Sequence, residues 1–214
     1  MNVLVLYEFS GVVREAFRRR GHDARSVDYT AALDGSRNHY QDSVQNVVGA
    51  IARRSWGWVP DVVIAHPSCV RLTNAGVRWL YKDGRGKVVD PKKWAEMEAG
   101  ANEFRWLLGL PFPRMAVENP VMHDHAMQII GKPYTQIIQP WMFGHGEIKK
   151  TCLWLRGLSK LKPTKVVSGR KPRVHHESPG VKNGLTRSQR RSITYPGIGD
   201  AFAEQWGTEK GADA

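Results

Sequence analysis

Apolar positions follow two rhythms along this chain, and the rhythms alternate. Residues 2–9 (NVLVLYEF) form a short, largely apolar run that predicts a buried strand, broken by Ser10-Gly11. Val12, Val13, Ala16 and Phe17 then recur at helical spacing, with Arg14, Arg18, Arg19 and Arg20 opposite, and Gly21 stops the helix. DARSVD predicts a second strand ending at Asp28, and residues 44–54 a helix. The uninterrupted DVVIA, 61–65, is a buried strand, and 70–90 is loop-like with KDGRGK at its tip. Asp90-Pro91 opens a helix whose face is Trp94, Met97, Ala101, Phe104 and Leu108, as far as Gly109. RMAVENP is another buried strand, and 136–138 and 151–155 read as later ones.

Strands alternating with helices predict an α/β fold: an open, mostly parallel sheet with helices on both faces. In such sheets ligands bind beyond the carboxyl ends of the strands. Gly11, Asp28, Cys69 and Glu118 all fall at predicted strand ends. The opening strand–Gly–helix–strand–acid order is that of a nucleotide-binding unit. From 159 to 193 the composition changes to Lys, Arg, Pro, Gly and Ser, which predicts an irregular basic excursion from the domain. Residues 207–214 read as a flexible tail.

Charge sharpens the picture. Thirty-two Lys and Arg against 20 Asp and Glu give +12, an excess that suits a polyanion such as nucleic acid. No apolar run is long enough to span a bilayer, and the N-terminus lacks the basic region of a signal peptide. Two cysteines form no disulfide framework, so the expected compartment is a reducing cytoplasm.

Three stretches carry candidate chemistry. Phe9-Ser10-Gly11 places a glycine at a strand-to-helix turn, where a ligand can approach the backbone. His66-Pro67-Ser68-Cys69 offers a thiol with His66 and Arg71 near it; a lone cysteine is also commonly an ordinary buried thiol. Glu118-Asn119-Pro120 offers a carboxylate at a neighbouring strand end. His66, Cys69, His123 and His125 are four conceivable metal ligands, but their spacing matches no standard site, and no metal is expected. In QPWMFGHGEIKKTCLWL, aromatics alternate with lysines as on nucleic-acid surfaces; Trp154, inside a strand, reads as core and Cys152 as inert.

In this order the pieces resemble the cytosine-5 DNA methyltransferases, in particular their short phage and prophage branch. Phe9-Ser10-Gly11 resembles the first cofactor motif, Pro67-Ser68-Cys69 the proline–proline–cysteine motif, and Glu118-Asn119-Pro120 the glutamate–asparagine–valine motif. Lys149 and Lys150 stand near the arginine-bearing motif, and Ile198-Gly199-Asp200 resembles the late isoleucine–glycine–asparagine motif. The resemblance implies a Rossmann-like methyltransferase fold binding S-adenosylmethionine through Phe9, Ser10, Gly11, Asp28, Asp42, Pro67, Gly199 and Asp200. It implies methyl transfer to carbon-5 of cytosine in DNA, with Cys69 as nucleophile and Glu118, Lys149 and Lys150 as catalytic partners. DNA would be held by Arg71, Arg78, Lys82, Arg85 and Lys87 of the loop, and by Arg170, Lys171, Arg173, Arg187, Arg190 and Arg191 of the excursion. The catalytic domain would comprise 1–158 and 194–206, with 159–193 as a reduced recognition region of relaxed specificity. The expected setting is the cytoplasm of a bacterial or phage-infected cell, and the expected state a monomer. The second glycine of the first motif is missing, since Val13 stands there. Two rival readings are a modifier of free cytosine nucleotides and a catalytically silent nucleic-acid-binding module.

Overall fold

The computed structural model describes residues 1–208. The expected tail at 207–214 lies, from 209 on, outside the described residues.

Seven strands form one sheet among the described residues: β1 (Asn2–Leu6), β2 (Asp23–Asp28), β3 (His39–Gln41), β4 (Val62–Ala65), β5 (Met115–Pro120), β6 (Gln136–Ile138) and β7 (Thr151–Arg156). Their order is β3-β2-β1-β4-β5-β7-β6. The first five are parallel, and β7 runs antiparallel to both β5 and β6. This is a Rossmann-like α/β fold. The order reverses between β1 and β4, which makes that crevice the topological switch point.

Both faces of the sheet are covered, and β1 shows how the sequence specifies it. Leu4 and Leu6 join one core with helices α2 (Val44–Ala52), α3 (Pro91–Gly109) and α4 (Asp124–Ile130). Val3 and Val5 join the other with α1 (Val12–Arg18) and α6 (Pro196–Trp206). An uninterrupted apolar strand is what a sheet buried on two faces requires. Helix α3 begins as its sequence predicts: Asp90 caps it by accepting the Lys93 N–H, and Pro91 occupies the first turn. Phe104 and Trp154 are both buried, with ring centroids 4.7 Å apart.

The boundary expected at 158 is less sharp in the structure. Leu161 is buried in the α1/α6 core, and the Trp206 indole donates to Ser159 O, so the excursion begins packed on the body. Its middle pairs with the segment before β7, through Phe143–Lys165 and Glu147–Lys171 bridges. A two-stranded hairpin, β8 (Val181–Lys182) and β9 (Leu185–Thr186), leads into α5 (Arg187–Ser192). Thr186 and Gln189 close α5 with a reciprocal capping box.

Candidate active site

Register brings three chemistry-bearing positions together. Leu6 pairs with Ala65, and Ala65 with Val117. Just beyond, the same edge receives Glu8 two residues after β1 ends at Leu6, His66 directly after β4, and Glu118, the residue after Val117 on β5. His66 Nδ1 and Glu118 Oε2 are 3.1 Å apart. Asn119, fully buried, donates from Nδ2 to Pro67 O at 2.9 Å and so ties β5 to the cysteine loop. Two buried atoms here have no hydrogen-bond partner among the described residues, His66 Nε2 and Asn119 Oδ1.

Cys69 is exposed on that loop. Its sulfur nevertheless sits close to the body of the protein, and loss of water is the largest effect, pushing the thiol above its ordinary value. The Glu118 charge pushes the same way, while Lys149 and Arg191 act against both. Burial also works to raise Glu118, but the His66 hydrogen bond, the His66 charge and Lys149 outweigh it and hold the carboxyl low. Lys149 Nζ donates to Arg191 O at 2.9 Å, which pins the end of α5 beside the cysteine. Of the two lysines, Lys149 faces this centre and Lys150 is exposed; burial and the Glu118 charge push the Cys152 thiol up to about 11, against the Lys150 charge.

The residues expected to bind the cofactor do not converge on one place: they are spread over the β1–α1 turn, the end of β2, the start of α2 and the α1/α6 packing. Gly11 has φ 75° and caps α1. The first-turn N–H groups of Val13 and Arg14 donate to the buried Glu8 carboxylate, at 2.6 and 3.1 Å. Buried Arg14 pairs with Asp34, and a Cβ on Gly11 would lie 2.5 Å from Arg14 Nη2 and 2.7 Å from Asp34 Oδ2. The anion place at this helix start is therefore filled from within. Phe9 is buried, and its carbonyl accepts from Leu33 N–H; Ser10 Oγ accepts from Val12 N–H. Asp28 stands half-buried at the end of β2, with one oxygen engaged by Thr30 N–H. Asp42 is exposed and bonds Ser43 N–H and Asn46 Nδ2 at the start of α2. Pro67 is buried. Gly199 packs α6 onto α1, where a Cβ would sit 3.3 Å from Val12, and Asp200 pairs with Arg19 at 2.7 Å.

Beside Ser68 and Arg71 opens a cleft of about 740 Å³, lined also by Gln45, Glu96, Asn102, Glu103 and Trp106. Tyr7, in a left-handed conformation just after β1, donates its hydroxyl to Glu103 at 2.8 Å.

The basic residues divide in two. Arg78, Lys82, Arg85, Lys87, Lys171 and Arg173 are exposed, and Arg170 lies over the Trp141 ring at 3.6 Å. Others act within the protein. Arg71 pairs with Glu96 at 3.0 Å, Arg187 donates to Glu177 O, and Arg190 binds Glu177 together with three backbone carbonyls. The conceivable metal ligands do not converge: His123 caps α4 through Nδ1 and bonds Arg71 O through Nε2, while His125 meets Tyr81. Among the described residues no group of three or more metal-ligating side chains occurs, and no helix is long and apolar enough to cross a membrane.

Three contributions were missed by sequence reasoning. Glu8 read as part of a strand, although an acid ending an apolar run just before a helix start is the signal of a capping carboxylate. Arg191 read as a nucleic-acid contact rather than a neighbour of Cys69. The bond between His66 and Glu118 needs strand register, which sequence does not supply.

Fold and site together define a Rossmann-like α/β protein with a thiol–carboxylate–cation centre at the carboxyl edge of its sheet. No protein-family profile matches the chain, and no curated protein does. Among solved structures, one from E. coli is described as a candidate DNA modification methyltransferase encoded within a prophage. It is 14% identical with a TM-score of 0.48, over 78% of this chain and 52% of that one. The chain thus spans about half the length of that structure.

Proposed function

We propose that the chain transfers a methyl group from S-adenosylmethionine to carbon-5 of cytosine in DNA, through a transient bond between Cys69 and carbon-6. One observation carries this reading: an exposed thiol on the loop after β4 and a carboxylate on neighbouring β5 share Lys149, and Arg191 also faces the thiol. Carbon-5 is a weak nucleophile, and covalent addition at carbon-6 makes it enamine-like. The Cys69 thiolate forms the S–C6 bond, and Glu118 delivers a proton to ring nitrogen 3 as that nitrogen gains the electron pair. Lys149 and Arg191 stabilise the thiolate before attack. The carbon-5 proton finally leaves to a solvent base, and the S–C6 bond breaks. A base in a duplex must leave the stack to reach this centre.

The residues expected to bind the cofactor suit it in two respects and depart in one. Asp28 at the end of β2 offers a ribose-binding acid, and the cleft beside Ser68 and Gln45, which Asp28 itself does not line, offers room. The departure is the α1 start, filled by Glu8, Arg14 and Asp34. When bound, S-adenosylmethionine supplies an electrophilic methyl group. That filled helix start also favours a second reading, a nucleic-acid-binding module without transfer. Calorimetry with S-adenosylmethionine separates the two, because only the first reading requires a binding heat.

Cys69→Ala and Cys69→Ser are expected to abolish 5-methylcytosine formation in expressing cells, read by nucleoside mass spectrometry, while leaving the melting temperature unchanged. Wild-type levels of the modified base in either variant would remove Cys69 from the mechanism.

A further inference from the structure

The proposed reaction leaves a buried imidazole without a task. His66 is nine-tenths buried, with a side-chain exposure of 9%. Its Nδ1 meets Glu118 Oε2 at 3.1 Å, and its Nε2 has no partner among the described residues. Its strand lies between those that deliver Glu8 and Glu118. An imidazole between two carboxyl groups, bonded to one, is the arrangement of a group that orients an acid and exchanges a proton with it.

We propose that His66 is the positioning residue for Glu118: its Nδ1–H holds Oε2, leaves Oε1 to the substrate ring, and supplies the proton that Glu118 passes on. The inference rests on the reading above. As the S–C6 bond forms, the Glu118 carboxylate relays a proton from His66 to ring nitrogen 3 and ends the step ionised, as it began. The His66 imidazolium passes its Nδ1 proton to Glu118 and remains neutral, protonated on Nε2. When the S–C6 bond breaks, the ring returns its proton through Glu118 to His66, so the pair ends as it began.

The surrounding charges are placed for this exchange. Glu118 faces His66 from β5, and Lys149 reaches Glu118 from the segment before β7. Glu8 faces it from the β1–α1 turn, where Arg14 of α1 partly balances the carboxylate; burial raises Glu8, against the His66 charge. Cys69 stands on the same loop, with Arg191 of α5 beside it. His66 is thus faced by carboxyl groups from β5 and from the β1–α1 turn. Asn119, bonded to Pro67 O, fixes the loop that carries it.

The test compares wild type with His66→Gln, which keeps an amide donor toward Oε2 but cannot carry the proton, and with His66→Ala. The readout is the rate of covalent adduct formation with a duplex containing 5-fluorocytosine, in the presence of S-adenosylmethionine, across the pH range around neutrality. Both variants are expected to slow by about 10²-fold and to lose one limb of the wild-type pH profile. DNA affinity should be unchanged. An unchanged rate and profile would overturn the inference, and so would a slower rate with the profile intact. Absence of any wild-type adduct would instead overturn the reading on which it rests, and the inference with it. A second measurement needs no activity. Glu118→Gln is expected to move the His66 Nδ1 resonance in the NMR spectrum of the ring at a fixed pH, because it replaces the carboxylate oxygen that lies 3.1 Å from that nitrogen. An unmoved resonance would likewise contradict the pairing.

Discussion

Cys69 and Glu118 oppose each other electrostatically before substrate arrives. Loss of water and the Glu118 charge hold the Cys69 thiol above its ordinary value, and Lys149 with Arg191 pull it down. Alkylation of the substrate-free protein therefore has a signed expectation. Glu118→Gln should shift the midpoint of Cys69 alkylation by iodoacetamide to lower pH, and Lys149→Met to higher pH. Fully buried Cys152 should stay unmodified in the folded protein and serve as the internal control. Stability has a sign as well. His66 and Lys149 hold the folded-state pKa of Glu118 below its unfolded value. Its contribution is therefore fully present above the unfolded value and is lost as pH falls through the folded one. Melting temperature should fall more steeply in acid for wild type than for Glu118→Gln. At this scale Cys69 and Glu118 were legible because each ends a predicted strand. Their pairing partners were not, because His66–Glu118 contact depends on the β4–β5 register.

Among the elements, the β1–α1 turn shows how a ligand-binding signature can serve the protein itself. Gly11 combines a left-handed φ with an ion pair packed where its Cβ would be. Gly11→Ala is expected to cost about 1–3 kcal/mol in urea unfolding, whether or not cofactor is present. A variant as stable as wild type but unable to bind cofactor would show that the glycine serves the ligand alone. Most strands and α3 were legible from apolar runs and from Asp90-Pro91. Helices α4 and α6 were not: α4 spans seven residues, and α6 opens with Pro-Gly-Ile-Gly, which mimics a turn. What makes α6 a helix is tertiary. Phe202 and Trp206 stack at 4.5 Å in the core it shares with α1. Trp206→Ala is expected to cost about 3–5 kcal/mol and to loosen the start of the excursion, since the indole also bonds Ser159 O.

The molecule as a whole carries its +12 charge unevenly in function. Composition shows the excess of cations, but not which of them are free to face a partner. Neutralising exposed Lys82 or Arg85 should weaken DNA binding and reduce its salt slope by about one phosphate contact each. Arg190→Ala should instead destabilise the excursion, because that guanidinium holds Glu177 and three carbonyls. The excursion also reaches the centre itself, since Lys149 ties the α5 end beside Cys69. The most direct measurement of the central claim is the intact mass of the protein after incubation with S-adenosylmethionine and a duplex containing 5-fluorocytosine. The expected result is a covalent protein–DNA adduct mapping to Cys69 and absent from Cys69→Ser. Methylation of ordinary cytosine DNA without any such adduct would contradict it.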